Sequence, residues 1–69
     1  MSGIVVIANG APRETTAGST VSDFLRALAL APAQVLVEFN GEPLERERFA
    51  AVTLCDGDRL EIAQMVGGG

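Results

Sequence analysis

Two Asn-Gly dipeptides set the plan of this chain: Asn9-Gly10 and Asn40-Gly41 each separate two short extended runs, and one amphipathic stripe lies between the two pairs. Asn-Gly favours the left-handed backbone of a two-residue hairpin turn, and Asn9-Gly10 carries the type I′ signature. The chain therefore reads as two hairpins flanking a helix. In the first hairpin, Gly3 to Ala8 (GIVVIA) is β-branched and apolar on both faces, the pattern of a strand in the middle of a sheet. Ala11 to Thr16 returns with a more polar sequence, and Pro12, which has no N–H to give a ladder, suits an edge. In the second hairpin, Val35, Val37 and Phe39 alternate with Leu36 and Glu38, as in a strand with one buried face. Its partner is a short run around Glu42 to Leu44.

Between the hairpins, Thr20 stands at a helix N-cap position, with Asp23 three residues on to complete a capping-box-like pair. Val21, Phe24, Leu25 and Leu28 recur at helical spacing on one face, while Ser22, Asp23 and Arg26 turn to water. Pro32 is expected to end this segment, because the residue before a proline disfavours helical geometry. Glu45-Arg46-Glu47-Arg48 reads as a solvated turn or single helical turn, and Phe49 as a core residue. Asp56-Gly57-Asp58 makes a tight turn into a last apolar strand, Arg59 to Val66.

The order strand, strand, helix, strand, short strand, strand closes most simply with the first and last strands side by side and parallel, the helix lying on the crossover between them. The expected fold class is α+β, a ubiquitin-like β-grasp. It has a mixed sheet of four to five strands with one main helix on one face, residues 1–66 forming the domain and 67–69 a mobile tail.

Sixty-nine residues make one domain near the lower size limit for a core held by packing alone. The single Cys55 has no internal disulfide partner, there is no histidine, and no zinc-ligand spacing occurs. Cys55 is read as structural or incidental. A net charge of -4 disfavours nucleic acid as a partner. All five basic residues are arginine, so no lysine amine is offered for isopeptide-linked chains of the protein on itself. No apolar run approaches the roughly 18 residues of a membrane span, and the start lacks a signal-peptide pattern, so a cytoplasmic, membrane-free protein is expected. With no histidine, no phosphate-binding loop and no GxSxG elbow, neither an autonomous enzyme nor a cofactor or metal bound by this chain is expected.

The last strand runs into Gly67-Gly68-Gly69. A glycine run costs more ordering entropy than any other and packs nothing, so a core has no use for it. Its value lies in being thin. A carboxylate on Gly69 could thread a channel too narrow for residues with a Cβ, with Gly67 and Gly68 giving reach. The plainer alternative is a frayed end or a linker remnant.

These pieces together resemble a known family. Asn9-Gly10 after a first strand, Thr20-Val21 with Phe24-Leu25 opening a helix, Val37-Glu38-Phe39-Asn40-Gly41, Arg46 before Phe49, Leu54 with Asp56-Gly57-Asp58, Leu60-Glu61-Ile62 and Val66-Gly67-Gly68-Gly69 resemble the ThiS family of bacterial sulfur carriers over nearly the whole chain. Related carriers such as the MoaD subunit of molybdopterin synthase share the fold and the Gly-Gly end. The resemblance implies that a ubiquitin-activating-type (ThiF-like) adenylyltransferase uses Mg-ATP to adenylate the Gly69 carboxylate. A sulfurtransferase or cysteine desulfurase then supplies sulfur, and the resulting thiocarboxylate serves a ThiG-like thiazole synthase in making the thiazole of thiamine.

The sheet face without the helix is expected to display Leu36, Ala63 and Met65, which with Val66 form a candidate partner-binding set beside the tail. Glu38 and Glu61 on that face would steer it toward basic surfaces. Three other functions fit the same residues: sulfur donation to molybdopterin, cysteine or another metabolite; covalent modification of proteins in the manner of ubiquitin; and a non-covalent β-grasp interaction module.

Overall fold

The computed structural model describes residues 3–65. It contains strand β1 (Gly3–Ala8), strand β2 (Ala11–Thr16), helix α1 (Val21–Ala27), strand β3 (Val35–Phe39), strand β4 (Glu42–Leu44) and strand β5 (Arg59–Gln64), with single 3-10 turns at Pro32–Gln34 and Arg46–Arg48. The five strands form one mixed sheet in the order β2-β1-β5-β3-β4. β1 and β5 pair in parallel through Ile7 with Arg59 and Ala8 with Leu60, and the other pairings are antiparallel. This is the expected β-grasp.

Both Asn-Gly turns have the backbone their sequence calls for. Asn9 and Asn40 sit at φ 51°, followed by Gly10 at 82° and Gly41 at 89°. Positive φ at both central residues is the requirement of a type I′ turn, and its twist matches that of the strands it joins.

Seven residues are too few for a helix to persist alone, and α1 is held by what surrounds it. Thr20 and Asp23 form the capping box: the Asp23 N–H donates to Thr20 Oγ1 (3.1 Å) and the Thr20 N–H to Asp23 Oδ2 (3.0 Å). The next donors are taken up by the loop before β5, Val21 N–H reaching the Val52 carbonyl (3.0 Å) and Ser22 N–H the Phe49 carbonyl (3.1 Å). Val21 and Leu25 are fully buried against Val6, Val35 and Leu60 of the sheet, while Phe24, Phe49 and Leu54 are nearly so. Ile62 and Leu28 pack around this core from its margin.

The helix stops earlier than Pro32. Its C-cap is Leu28, and Ala29 follows in the left-handed region at φ 61°. The Leu30 N–H donates to the Leu25 carbonyl (2.9 Å) and the Ala29 N–H to the Arg26 carbonyl (2.9 Å), which together make a Schellman motif. A left-handed alanine, with no glycine to announce it, ends the helix; Pro32 instead opens the 3-10 turn that leads into β3. β5 runs over Arg59–Gln64, and Val66, the expected end of the strand, lies outside the described residues.

The sequence of β1 suggested burial on both faces, yet Val5 is 38% exposed. The helix covers the face carrying Val6 and Ala8, and nothing among the described residues covers the face carrying Val5.

Candidate functional site: the end of β5 and the open sheet face

β5 carries the chain toward Gly69, and it is held from both sides. On the β1 side, the Ile7 N–H donates to the Asp58 carbonyl (2.8 Å) and the Asn9 N–H to the Leu60 carbonyl (2.9 Å). The chain then turns away, and the Asn9 side chain takes the next step of the ladder: its Nδ2 donates to the Ile62 carbonyl (3.0 Å), and its Oδ1 accepts from the Ile62 N–H (2.7 Å). On the β3 side, Asn40 Oδ1 accepts from the Arg59 N–H (2.9 Å) and Asn40 Nδ2 donates to Asp58 Oδ1 (3.1 Å). The two turn asparagines grip the same strand.

The Asp56-Gly57-Asp58 turn fixes where β5 starts. Asp56 Oδ1 accepts from the Val5 N–H (2.8 Å), the Gly57 N–H donates to the Val5 carbonyl (2.8 Å), and Asp58 Oδ2 accepts from the Cys55 N–H (2.7 Å). Both carboxylates are thereby committed to backbone donors. Among the described residues, no group of three potential metal ligands comes together.

Leu36 and Ala63 stand directly opposite one another on β3 and β5, followed along the same face by the pair Glu38 and Glu61. The Asn40 N–H donates to the Arg59 carbonyl (2.8 Å) at one end of this ladder and the Met65 N–H to the Gln34 carbonyl (2.9 Å) at the other. In an antiparallel pair the hydrogen-bonded positions recur every second residue, so Met65 extends the face of Ala63 and Glu61 by one more step. Leu36 is 60% and Met65 48% exposed. Pro43 of β4, opposite Glu38, adds to this patch, and no pattern in the sequence marks it. Three of the candidate partner-binding residues thus lie together on the open face. The fourth, Val66, and the tail residues Gly67, Gly68 and Gly69 lie outside the described residues.

Glu38 and Glu61 form a cross-strand pair of like charges, an arrangement that weakens a sheet. Among the described residues the one ion pair is Arg26 with Asp23 (3.6 Å), on the exposed side of the helix. On the open face Glu38 and Glu61 thus stand beside apolar surface without an ion-pair partner among the described residues, with Arg59 on the same face two residues before Glu61.

The model of the ThiS family matches residues 6–69 of this sequence, from inside β1 to the last glycine. The chain belongs to the ThiS family. It is 44% identical over 50 residues to the sulfur carrier protein ThiS of Bacillus subtilis, an alignment covering 72% of this chain and 76% of that one. The crystal structure of the thiamine biosynthesis protein ThiS from Geobacter metallireducens superposes with a TM-score of 0.74 at 44% identity, covering 96% of this chain and all of that one. This ThiS-family chain is also 38% identical over 61 residues to a thiazole synthase of Magnetococcus marinus. That alignment takes in 88% of the chain but spans only 19% of the synthase.

Proposed function

We propose that this protein is the sulfur carrier of thiamine thiazole formation, with Gly69 as the group that carries the sulfur. The observation that carries the reading is the family match running unbroken to Gly69. A free carboxylate is too electron-rich to accept a sulfur nucleophile. Adenylation changes that: a carboxylate oxygen of Gly69 attacks the α-phosphorus of Mg-ATP on a partner adenylyltransferase, and pyrophosphate leaves. The terminal sulfur of a persulfide, held by a sulfurtransferase or cysteine desulfurase, then attacks the acyl carbon and displaces AMP. A thiol cleaves the resulting acyl disulfide, being oxidised as the thiocarboxylate is released.

The carrier supplies no acid or base to these steps. Its part is to bind, present and donate, and the lack of histidine together with backbone-committed Asp56 and Asp58 accords with that. Glycine at positions 67 to 69 keeps the approach to the reacting carbon free of Cβ atoms. Leu36, Ala63 and Met65 form the docking surface, with Glu38 and Glu61 meeting basic residues of the partner. Thiazole synthase is the proposed acceptor enzyme: in the M. marinus protein, a segment similar to this chain forms part of a polypeptide with that name. The proposed setting is the cytosol; no helix among the described residues is long and apolar enough to cross a membrane.

The test is ATP-pyrophosphate exchange with the cognate adenylyltransferase. The full chain should support exchange, while a chain lacking Gly69, with the same thermal midpoint, should not. Exchange by the shortened chain at the full rate would refute the assignment of Gly69. Gly68→Val should fail in the same way, through width.

A further inference from the structure

We propose that Arg46 is a positioning residue that sets the point from which the chain leaves the sheet toward Gly69, an inference that rests, for its functional half, on the carrier reading above. Arg46 is exposed and flanked by Glu45 and Glu47, the setting of a solvated charge, yet it makes no ion pair with either. Its guanidinium turns to the backbone: Nε donates to the Pro32 carbonyl (2.8 Å) and Nη2 to the Val35 carbonyl (3.4 Å). A planar fork can hold two carbonyls at once in a way that a point charge cannot. Between those two carbonyls lies Gln34, whose own carbonyl accepts from the Met65 N–H (2.9 Å).

Among the described residues, that last hydrogen bond has no counterpart on the other side of β5. The parallel ladder with β1 covers Arg59 and Leu60, and the Asn9 side chain extends it only to Ile62. Beyond Ile62, the backbone tethers of β5 among the described residues come from the β3 side, through Leu36 opposite Ala63 and Gln34 opposite Met65. The Pro32–Gln34 turn has no side-chain cap of its own. Arg46 fixes it from outside, and Arg46 is fixed in turn because its carbonyl accepts from the N–H of Phe49 (3.1 Å), a core residue. A line of constraint thus runs from the core through Phe49, Arg46 and the Pro32–Val35 backbone to Met65, four residues before the reacting group.

The experiment compares the full chain with Arg46→Ala and Arg46→Lys by amide hydrogen exchange and by ATP-pyrophosphate exchange with the adenylyltransferase. In Arg46→Ala the Met65 amide should exchange about tenfold faster, while the Val37 and Leu60 amides keep their protection, the signature of a local opening. The kcat for pyrophosphate exchange should fall by about tenfold with KM for the carrier changed by less than about twofold, since docking is intact and only the aim of the reacting group is lost. Arg46→Lys keeps the charge but loses the fork, and should show the same pattern at smaller size. Unchanged Met65 exchange in both variants, acceleration of Met65 only in step with the core amides, or a raised KM at unchanged kcat would each overturn the proposal. Should the wild-type chain support no pyrophosphate exchange at all, the carrier reading fails, and the Met65 amide alone decides whether Arg46 holds the exit of β5.

Discussion

The side-chain amide of Asn9 pairs in both directions with the backbone of Ile62, donating to its carbonyl at 3.0 Å and accepting from its N–H at 2.7 Å. The hairpin turn has already carried the main chain away from β5 at this point, so the side chain stands in for the next strand residue. Asn9→Ala should lower stability by about 2–3 kcal/mol, combining two lost hydrogen bonds with an alanine at positive φ. Asn9→Gly relieves the backbone but not the lost bonds, and should recover roughly 1 kcal/mol of this. Urea midpoints of the two variants give the comparison. A glycine variant as stable as the wild type would show that the amide contributes nothing.

Ala29 occupies the left-handed C′ position that the Schellman motif of α1 requires. The left-handed region costs a residue with a Cβ about 1–2 kcal/mol, and glycine gives back part of that in extra unfolded-state freedom. Ala29→Gly should therefore raise stability by roughly 0.5–1 kcal/mol, one of the uncommon sites where glycine stabilises. A lowered urea midpoint would contradict this.

Much of the fold was legible because its signals are local. The turn residues Asn9-Gly10 and Asn40-Gly41, the Thr20–Asp23 capping box and the alternation of Val35 to Phe39 each fix a short stretch of backbone by their own chemistry, and β1, β2, β3 and β4 begin and end where those signals place them. The departures have non-local or silent causes. The end of α1 at Ala27 depends on an alanine adopting a conformation its type disfavours, and nothing in the sequence marks it. The exposed side of β1 follows from there being a single helix for two sheet faces, which the apolar run itself does not reveal. At the candidate site, period-2 alternation was enough to bring Leu36, Ala63 and Met65 to one face. The grip of Asn9 on Ile62 and of Arg46 on Pro32 and Val35 was not visible, because asparagine at a turn and arginine in a charge run already have sufficient local explanations.

The capping box makes one part of the stability sensitive to acid. The Thr20 backbone N–H, and then the Thr20 hydroxyl, hold the Asp23 carboxyl below its ordinary value of 3.8, with a smaller contribution from Arg26. A carboxyl whose folded-state pKa is depressed adds stability above its unfolded-state value and loses it as pH falls through the folded one. Wild type should therefore be more stable than Asp23→Asn at neutral pH, and the two should converge as pH drops below 3.8. Thermal midpoints measured from neutral pH into acid provide the check; a constant difference would mean that the charge on Asp23 contributes nothing.

Met65→Glu tests the docking face. Met65 is 48% exposed, so the substitution should change stability by no more than about 0.5 kcal/mol. Affinity for both the adenylyltransferase and the thiazole synthase should fall by roughly tenfold or more, because apolar contact is lost and a third carboxylate joins Glu38 and Glu61 in the interface. A large drop in thermal midpoint would place Met65 in the core, and unchanged affinity for both partners would remove this face from the interaction.

The central claim is that Gly69 carries sulfur, and the intact mass of the protein isolated from its own host tests it most directly. The account predicts a population heavier by the difference between one sulfur and one oxygen, located by fragmentation at Gly69 and lost on treatment with a thiol-alkylating reagent in favour of the alkylated adduct. Protein of unmodified mass only, recovered from cells actively making thiamine under conditions that preserve thiocarboxylates, would contradict it.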